Sequence, residues 1–327
     1  MLKKIRNIVL RVSVSLLSLG LMFYMVKGEL IEALAHLKNI SFVFLILAVI
    51  INFLSLLIVT FRLRMILLIQ KIKLNFARLY YLWSISLFFN LFLPSAIGGD
   101  IAKAYYIAKD SGHKFASVTS VLLDRLFGLL ATISIGFFAY LLARDRIDDP
   151  KIGQVIFWAT GVIVTGLLFV MSRRFSKPAK SLFLKFSPAK MKNLISRIFE
   201  ALDLYRNRRI DFVVLYVSSL VAQVFFIFLV FMLSKSIHID LPIEIFFLFM
   251  PLIALISMIP SIGGLGVREA ATVYLFKEYV TLDQAVALSL VFDLFLYGIG
   301  CACGILYAIR GGASIQEIER IEGSQLS

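Results

Sequence analysis

Apolar residues fill long runs along this chain, and polar residues gather in the short stretches between them. Six runs, at about residues 8–26, 41–60, 118–142, 156–171, 211–232 and 285–309, have helical lengths on the scale of the ~30 Å hydrocarbon core of a bilayer. Two further apolar segments, 79–107 and 243–279, are broken in the middle, the first by Pro94 and Gly98-Gly99, the second by Pro260 and Gly263-Gly264. Backbone freed at such a break cannot face lipid, where each unpaired group costs several kcal/mol, so both breaks must line protein or a wet cavity. In residues 29–38, Leu30, Ile31, Leu34 and Leu37 recur at helical spacing, which predicts a short amphipathic helix lying on the membrane surface.

Charge gives the runs a direction. Lys3, Lys4 and Arg6 precede the first run, and Arg62, Arg64, Lys71, Lys73 and Arg78 follow the second. Residues 172–209 carry eleven Lys and Arg against Glu200 and Asp203. Short loops rich in Lys and Arg stay in the cytoplasm, so these stretches are inside, whereas 29–38, 144–151 and 235–241 fall outside. Each broken segment then begins and ends on one side, the first inside and the second outside, and is expected to be a re-entrant hairpin. Arg310 places the end of the last run inside, so both termini are expected in the cytoplasm. The predicted fold is an all-α, multi-pass protein of the inner or plasma membrane, with six full spans and two re-entrant helical hairpins, or about eight transmembrane segments. The membrane domain covers residues 1–310, with a basic cytoplasmic loop at 172–210 and a cytoplasmic tail at 311–327.

At 60% hydrophobic residues the chain exceeds what a soluble core absorbs. Its net charge of +14 lies in loops rather than on one amphipathic face, which argues against a nucleic-acid partner. No small-residue cleavage site follows the first run, so that run is expected to stay as a span.

Opposed breaks are the mark of an inverted repeat. Pro94-Ser95-Ala96-Ile97-Gly98-Gly99 matches Pro260-Ser261-Ile262-Gly263-Gly264 with one residue fewer, and Ala116, Ser120 and Asp124 repeat their spacing as Ala285, Ser289 and Asp293. The halves are expected at 41–143 and 211–309. A helix restarting after the glycines turns its free N–H groups and positive dipole end toward the break, an arrangement suited to a phosphate. Asp100 and Lys103 follow the first break; Arg268 and Glu269 follow the second. Asp124, Arg125 and Asp293 sit inside spans, where a charge costs roughly 2.5–3.5 kcal/mol on insertion scales. Adjacent helical positions point about 100° apart, so Asp124 and Arg125 need partners elsewhere. Arg125 is expected to face acidic groups near the first break, and Asp124 to face Lys103 or Arg268. The candidate substrate-binding residues are thus Asn90, Ser95, Gly98, Gly99, Asp100, Lys103, Asp124 and Arg125 from the first half, and Ser261, Gly263, Gly264, Arg268, Glu269 and Asp293 from the second. The plainer alternatives are that the glycines and prolines serve packing, that the ion pairs only lock helices, and that Asn90 bonds a neighbouring helix.

His36, His113 and His238 are dispersed, and Cys301 and Cys303 read as small apolar fillers. No phosphate loop, His-Glu-x-x-His pair or Gly-x-Ser-x-Gly elbow occurs. Neither enzymatic activity nor a metal or other cofactor is expected.

The ordered set of Asn90 through Asp100, Asp124-Arg125 with Gly128, and Pro260 through Glu269 resembles the membrane domain of the lysylphosphatidylglycerol synthases, the flippase-like family, over nearly all residues up to about 310. In bifunctional members this domain is implicated in translocating aminoacylated phosphatidylglycerol made by a cytosolic domain. By that resemblance Asp100, Asp124, Arg125, Arg268 and Glu269 fall on positions expected to matter. Lys103 departs from the arginine more often found there, keeping the charge without the bidentate grip. Residues 311–327 leave no room for an aminoacyl-transferring domain, so a stand-alone member is expected. The resemblance implies translocation of an anionic or aminoacylated phospholipid. The alternatives are handling of a polyprenyl-phosphate-linked sugar, a membrane-embedded headgroup transferase, and a scaffold that presents the basic loop to a lipid-modifying enzyme. Membrane lipids are the expected partners, with such an enzyme and a second copy of the chain as the candidate protein partners.

Overall fold

The computed structural model describes residues 30–92, 98–143, 208–259 and 266–309, with a few isolated positions between 161 and 199. Regular structure in the four continuous stretches is helical: α1 (Leu30–His36) with a 3-10 turn (Leu37–Asn39), α2 (Phe42–Ile69), α3 (Phe76–Phe92), α4 (Gly98–Ser111), α5 (Lys114–Ala143), α6 (Arg209–Ser236), α7 (Ile243–Ile256), α8 (Val267–Phe276) and α9 (Leu282–Ile309). Phe42–Ile69, Lys114–Leu142, Ile210–Ser236 and Leu282–Ile309 are long and apolar enough to cross a membrane, and they coincide with four of the expected spans. The spans expected at 8–26 and 156–171, and nearly all of the basic loop, lie outside the described residues.

Along α2, Phe42, Ile46, Ile50, Phe53, Leu57 and Phe61 recur at helical spacing and stay 41–72% exposed, an apolar stripe that lipid tails would cover. The helix runs nine residues past its expected end at Thr60. Leu63, Ile66 and Leu67 are fully buried, and Arg62 lies inside the helix rather than in a loop. At the end of α2 the N–H of Ile72 bonds the carbonyl of Leu67 and that of Lys71 bonds Leu68, with Lys71 at φ 63°. This is a Schellman motif, with lysine in the left-handed position that glycine usually holds.

The chain divides into two compact units: Met1–Leu56 with Tyr80–Lys103 and Val224–Ser327, and Leu57–Leu79 with Ala104–Gln223. Each draws on both expected halves of the chain. In the second unit, Ile66, Ile69, Leu123, Phe127 and Leu215 form a buried cluster. Phe212 stacks against Phe127 at 5.3 Å, and the Tyr216 hydroxyl lies 2.7 Å from that of Ser134.

Both interrupted segments double back on themselves. Arg78, at the start of α3, binds Asp110 near the end of α4 at 2.7 Å, while beside the break the Gly99 N–H donates to Asn90 Oδ1 at 2.8 Å. In the second segment Phe246, early in α7, meets Phe276 at the end of α8 with ring centroids 5.3 Å apart, and Phe249 meets Tyr279 at 5.5 Å.

At one end of the first unit His36 lies 2.8 Å from Asp283, the Ser41 N–H donates to the Ser236 carbonyl at 2.8 Å, and His238 lies 3.0 Å from the Asn39 carbonyl. These contacts gather α1, the α6–α7 connection and the start of α9, three stretches that the charge pattern assigns to one side of the membrane. Further along α9, Gly300 and Gly304 let α3 approach closely. A Cβ on Gly304 would strike the Phe88 ring, and one on Gly300 would reach 3.0 Å from Leu91 Cγ. Small residues four apart are a common contact between membrane helices.

Candidate functional site

Around the first break, α4 begins hard against α3. A Cβ on Gly99 would collide with the Ser86 carbonyl and stand 2.7 Å from Asn90 Oδ1, so the approach requires glycine. Asn90 uses its side-chain oxygen to satisfy one of the free N–H groups of the α4 amino end, a helix-to-helix bond. Asp100 lies in the first turn, where a carboxylate suits the positive end of the dipole. One turn on, Lys103 is buried, with Nζ 3.1 Å from Asp100 and 3.3 Å from the centre of the Trp83 ring. The cation is thus held between a carboxylate and an aromatic face, and the pair is formally neutral.

At the second break, α8 starts from Gly266, whose φ of 82° excludes an ordinary L side chain at low cost. Arg268 and Glu269 follow in its first turn. Arg268 Nε donates to Asp293 Oδ1 at 3.0 Å, its Nη2 donates to the same oxygen, and Nη2 lies 3.3 Å from Glu269 Oε1. The guanidinium also lies 5.4 Å from the Phe292 ring centre. Side-chain exposures are 14% for Arg268, 11% for Asp293 and 2% for Glu269. One cation therefore serves two carboxylates, and the Glu269 oxygen not facing Arg268, Oε2, is buried without a hydrogen-bond donor among the described residues.

Asp124 departs from expectation. Its partner is Arg62 on α2, with Nε 2.7 Å from Oδ1, and Arg62 Nη1 also donates to the Ser219 hydroxyl of α6 at 3.0 Å. Of the cations expected to face Asp124, Lys103 binds Asp100 and Arg268 binds Asp293. The extra length of α2 carries Arg62 into the buried part of the second unit, where it meets this carboxylate of α5. Arg125, the next position on α5, is half-buried. Ser95, Ser261, Gly263 and Gly264 lie outside the described residues.

The structure thus gathers Asn90, Gly99, Asp100 and Lys103 at one break and Arg268, Glu269 and Asp293 at the other. Sequence reasoning did not single out Trp83, Arg62, Ser219 or the Gly300 and Gly304 contact. Gly300-Cys301-Ala302-Cys303-Gly304 carries the only local signal for any of these, two glycines four apart in an apolar run.

Residues 8–304 match the family model described as the lysylphosphatidylglycerol synthase TM region. Neither a curated protein nor a solved structure matches the chain.

Proposed function

Since the chain belongs to the family of the lysylphosphatidylglycerol synthase transmembrane region, a family tied to membrane lipids, we propose that it translocates an anionic phospholipid across the membrane, holding the headgroup phosphate at the breaks. In this reading the two hairpins enter from opposite faces as halves of an inverted repeat, and the headgroup passes between protein surfaces rather than through lipid tails.

The observation that carries the reading is Arg268. A guanidinium beside a broken membrane segment is expensive to bury and persists only with an anionic partner. Here the partners are carboxylates of α8 and α9, and the side chain keeps 14% exposure. A phosphodiester can take the place of a carboxylate oxygen on the same two N–H groups, because guanidinium binds both in the same bidentate fashion. At the first break the α4 amino end supplies further positive potential, the charge of Lys103 being matched by Asp100.

The test is headgroup translocation by purified protein in liposomes. Labelled phosphatidylglycerol, lysylphosphatidylglycerol, phosphatidylethanolamine and a polyprenyl phosphate are compared side by side. Transfer of one or both glycerol-phosphate lipids above protein-free liposomes is expected. Transfer of the polyprenyl phosphate alone would move the substrate to that class, and transfer of none of the four would end the proposal.

A further inference from the structure

The second cluster is unbalanced. Arg268 contributes one positive charge, Glu269 and Asp293 one negative charge each, so the fully ionised set carries a formal charge of −1. Both carboxyl groups meet on the one guanidinium, Asp293 Oδ1 through Nε and Nη2 and Glu269 Oε1 through Nη2 at 3.3 Å, so the second carboxylate is held there without a cation of its own. Glu269 Oε2, on a side chain 2% exposed, has no donor among the described residues. That oxygen is the open position at which the pair can take up a proton.

Among the described residues, no other countercharge is recorded on the Arg268, Glu269 and Asp293 side chains. The groups that act on one another are Arg268 and Glu269 from α8 with Asp293 and Tyr297 from α9. Among the described residues, α7, packed on α8, brings only Glu244, in its first turn. Beyond α8, Lys277 faces Glu278. At the start of α9, Asp283 is occupied by His36 of α1, a helix whose other charge is Glu32. Nearby, α6 presents Phe226 to Phe292, and its Lys235 is bound to Asp240. On α3, Arg78 is held by Asp110.

Resting on the reading of Arg268 as the phosphate-binding group, we propose that the Glu269–Asp293 pair is a proton-binding site filled in step with headgroup capture, which makes the chain a proton–anionic lipid symporter. When a phosphodiester of charge −1 displaces Asp293 from Arg268, the formal charge of the buried set would move from −1 to −2. One proton taken from water by the carboxyl pair returns it to −1. No bond other than O–H forms, and the proton is returned to water when the phosphate leaves and Arg268 recovers its carboxylate. Lipid anion and proton cross together without net charge, so a pH difference drives transfer and the membrane potential does not.

Phosphatidylcholine liposomes containing the full chain and labelled phosphatidylglycerol provide the test, with the leaflet distribution read by quenching of the external label. A pH difference of one unit, acid on the loading side, is expected to shift that distribution by up to tenfold. A potassium diffusion potential of equivalent energy is expected to leave it unchanged. Glu269→Gln and Asp293→Asn keep the shape and an acceptor for Arg268, and each is expected to lose the response to pH. Folding is followed by helical circular dichroism, and the wild-type arms decide the question even where one variant fails to fold. Transfer by the wild type that ignores the pH difference, or follows the diffusion potential, overturns the symport and leaves lipid translocation standing. Absence of transfer for every lipid overturns translocation itself and the symport with it.

Discussion

Asp124 and Asp293 each sit about three turns into a long apolar helix and each holds one guanidinium, yet their surroundings differ in one respect that decides what they can do. At Asp124, Arg62 meets this carboxylate and one hydroxyl, with side-chain exposures of 5% for Arg62 and 2% for Asp124. At Asp293 a second carboxylate shares the cation, and one oxygen of that carboxylate has no donor among the described residues. A balanced buried ion pair resists change, since removing either partner strands the other. An unbalanced one can exchange partners with a ligand or a proton at little extra cost. On the proposed reading, similar residues then serve as a lock in one unit and as a site in the other.

The comparison breaks first at Asp124. Asp124→Ala leaves Arg62 buried and unable to lose its proton, and is expected to cost about 3–5 kcal/mol. Thermal unfolding of the solubilised protein should show a large loss of folded material; a variant as stable as wild type would erase the distinction between lock and site.

Next in size is Arg268→Ala. Here the two carboxyl groups can hold a proton between them, so abundance should stay near wild type while phosphatidylglycerol transfer falls roughly ten- to a hundredfold, the equivalent of the about 1.5–3 kcal/mol carried by a hydrogen bond to a charged group. Arg268→Lys, with charge but no planar fork, should recover only part of the rate. Loss of folded protein matching that of Asp124→Ala would make both clusters locks.

The smallest effect concerns the frame around Asp293. Gly304→Leu forces a side chain into the Phe88 ring and is expected to cost about 1–3 kcal/mol. Unchanged stability, measured by the same unfolding assay, would mean that α3 can withdraw from α9 without penalty.

How much of this was legible in the sequence depends on the range of the signal. Runs of apolar residues located α2, α5, α6 and α9, because a span advertises itself over some twenty consecutive positions. Proline and glycine marked the stretches between α3 and α4 and between α7 and α8, and the helices on either side of each double back. The length of α2 was not legible, since a hydropathy pattern treats Arg62 and Arg64 as the end of a span. Arg62 is tolerated only because Asp124, 62 positions away, meets it. No local rule encodes that distance. For the same reason the pairing of Arg62 with Asp124 and the contact of Lys103 with Trp83 had no local signal. The duplicated strings found Asp124 and Asp293 together, but only the count of donors around each tells them apart.

The Gly300 and Gly304 contact also has a mechanical side. Two turns of α9, about 10 Å, separate Gly300 from Asp293, and the residues meshed with the glycines, Phe88 and Leu91, flank Asn90, which holds Gly99 beside the first break. Backbone pressed against side chain leaves no slack in that joint. Helices so geared resist sliding past one another, which ties the position of α3 beside the first break to that of the helix that carries Asp293.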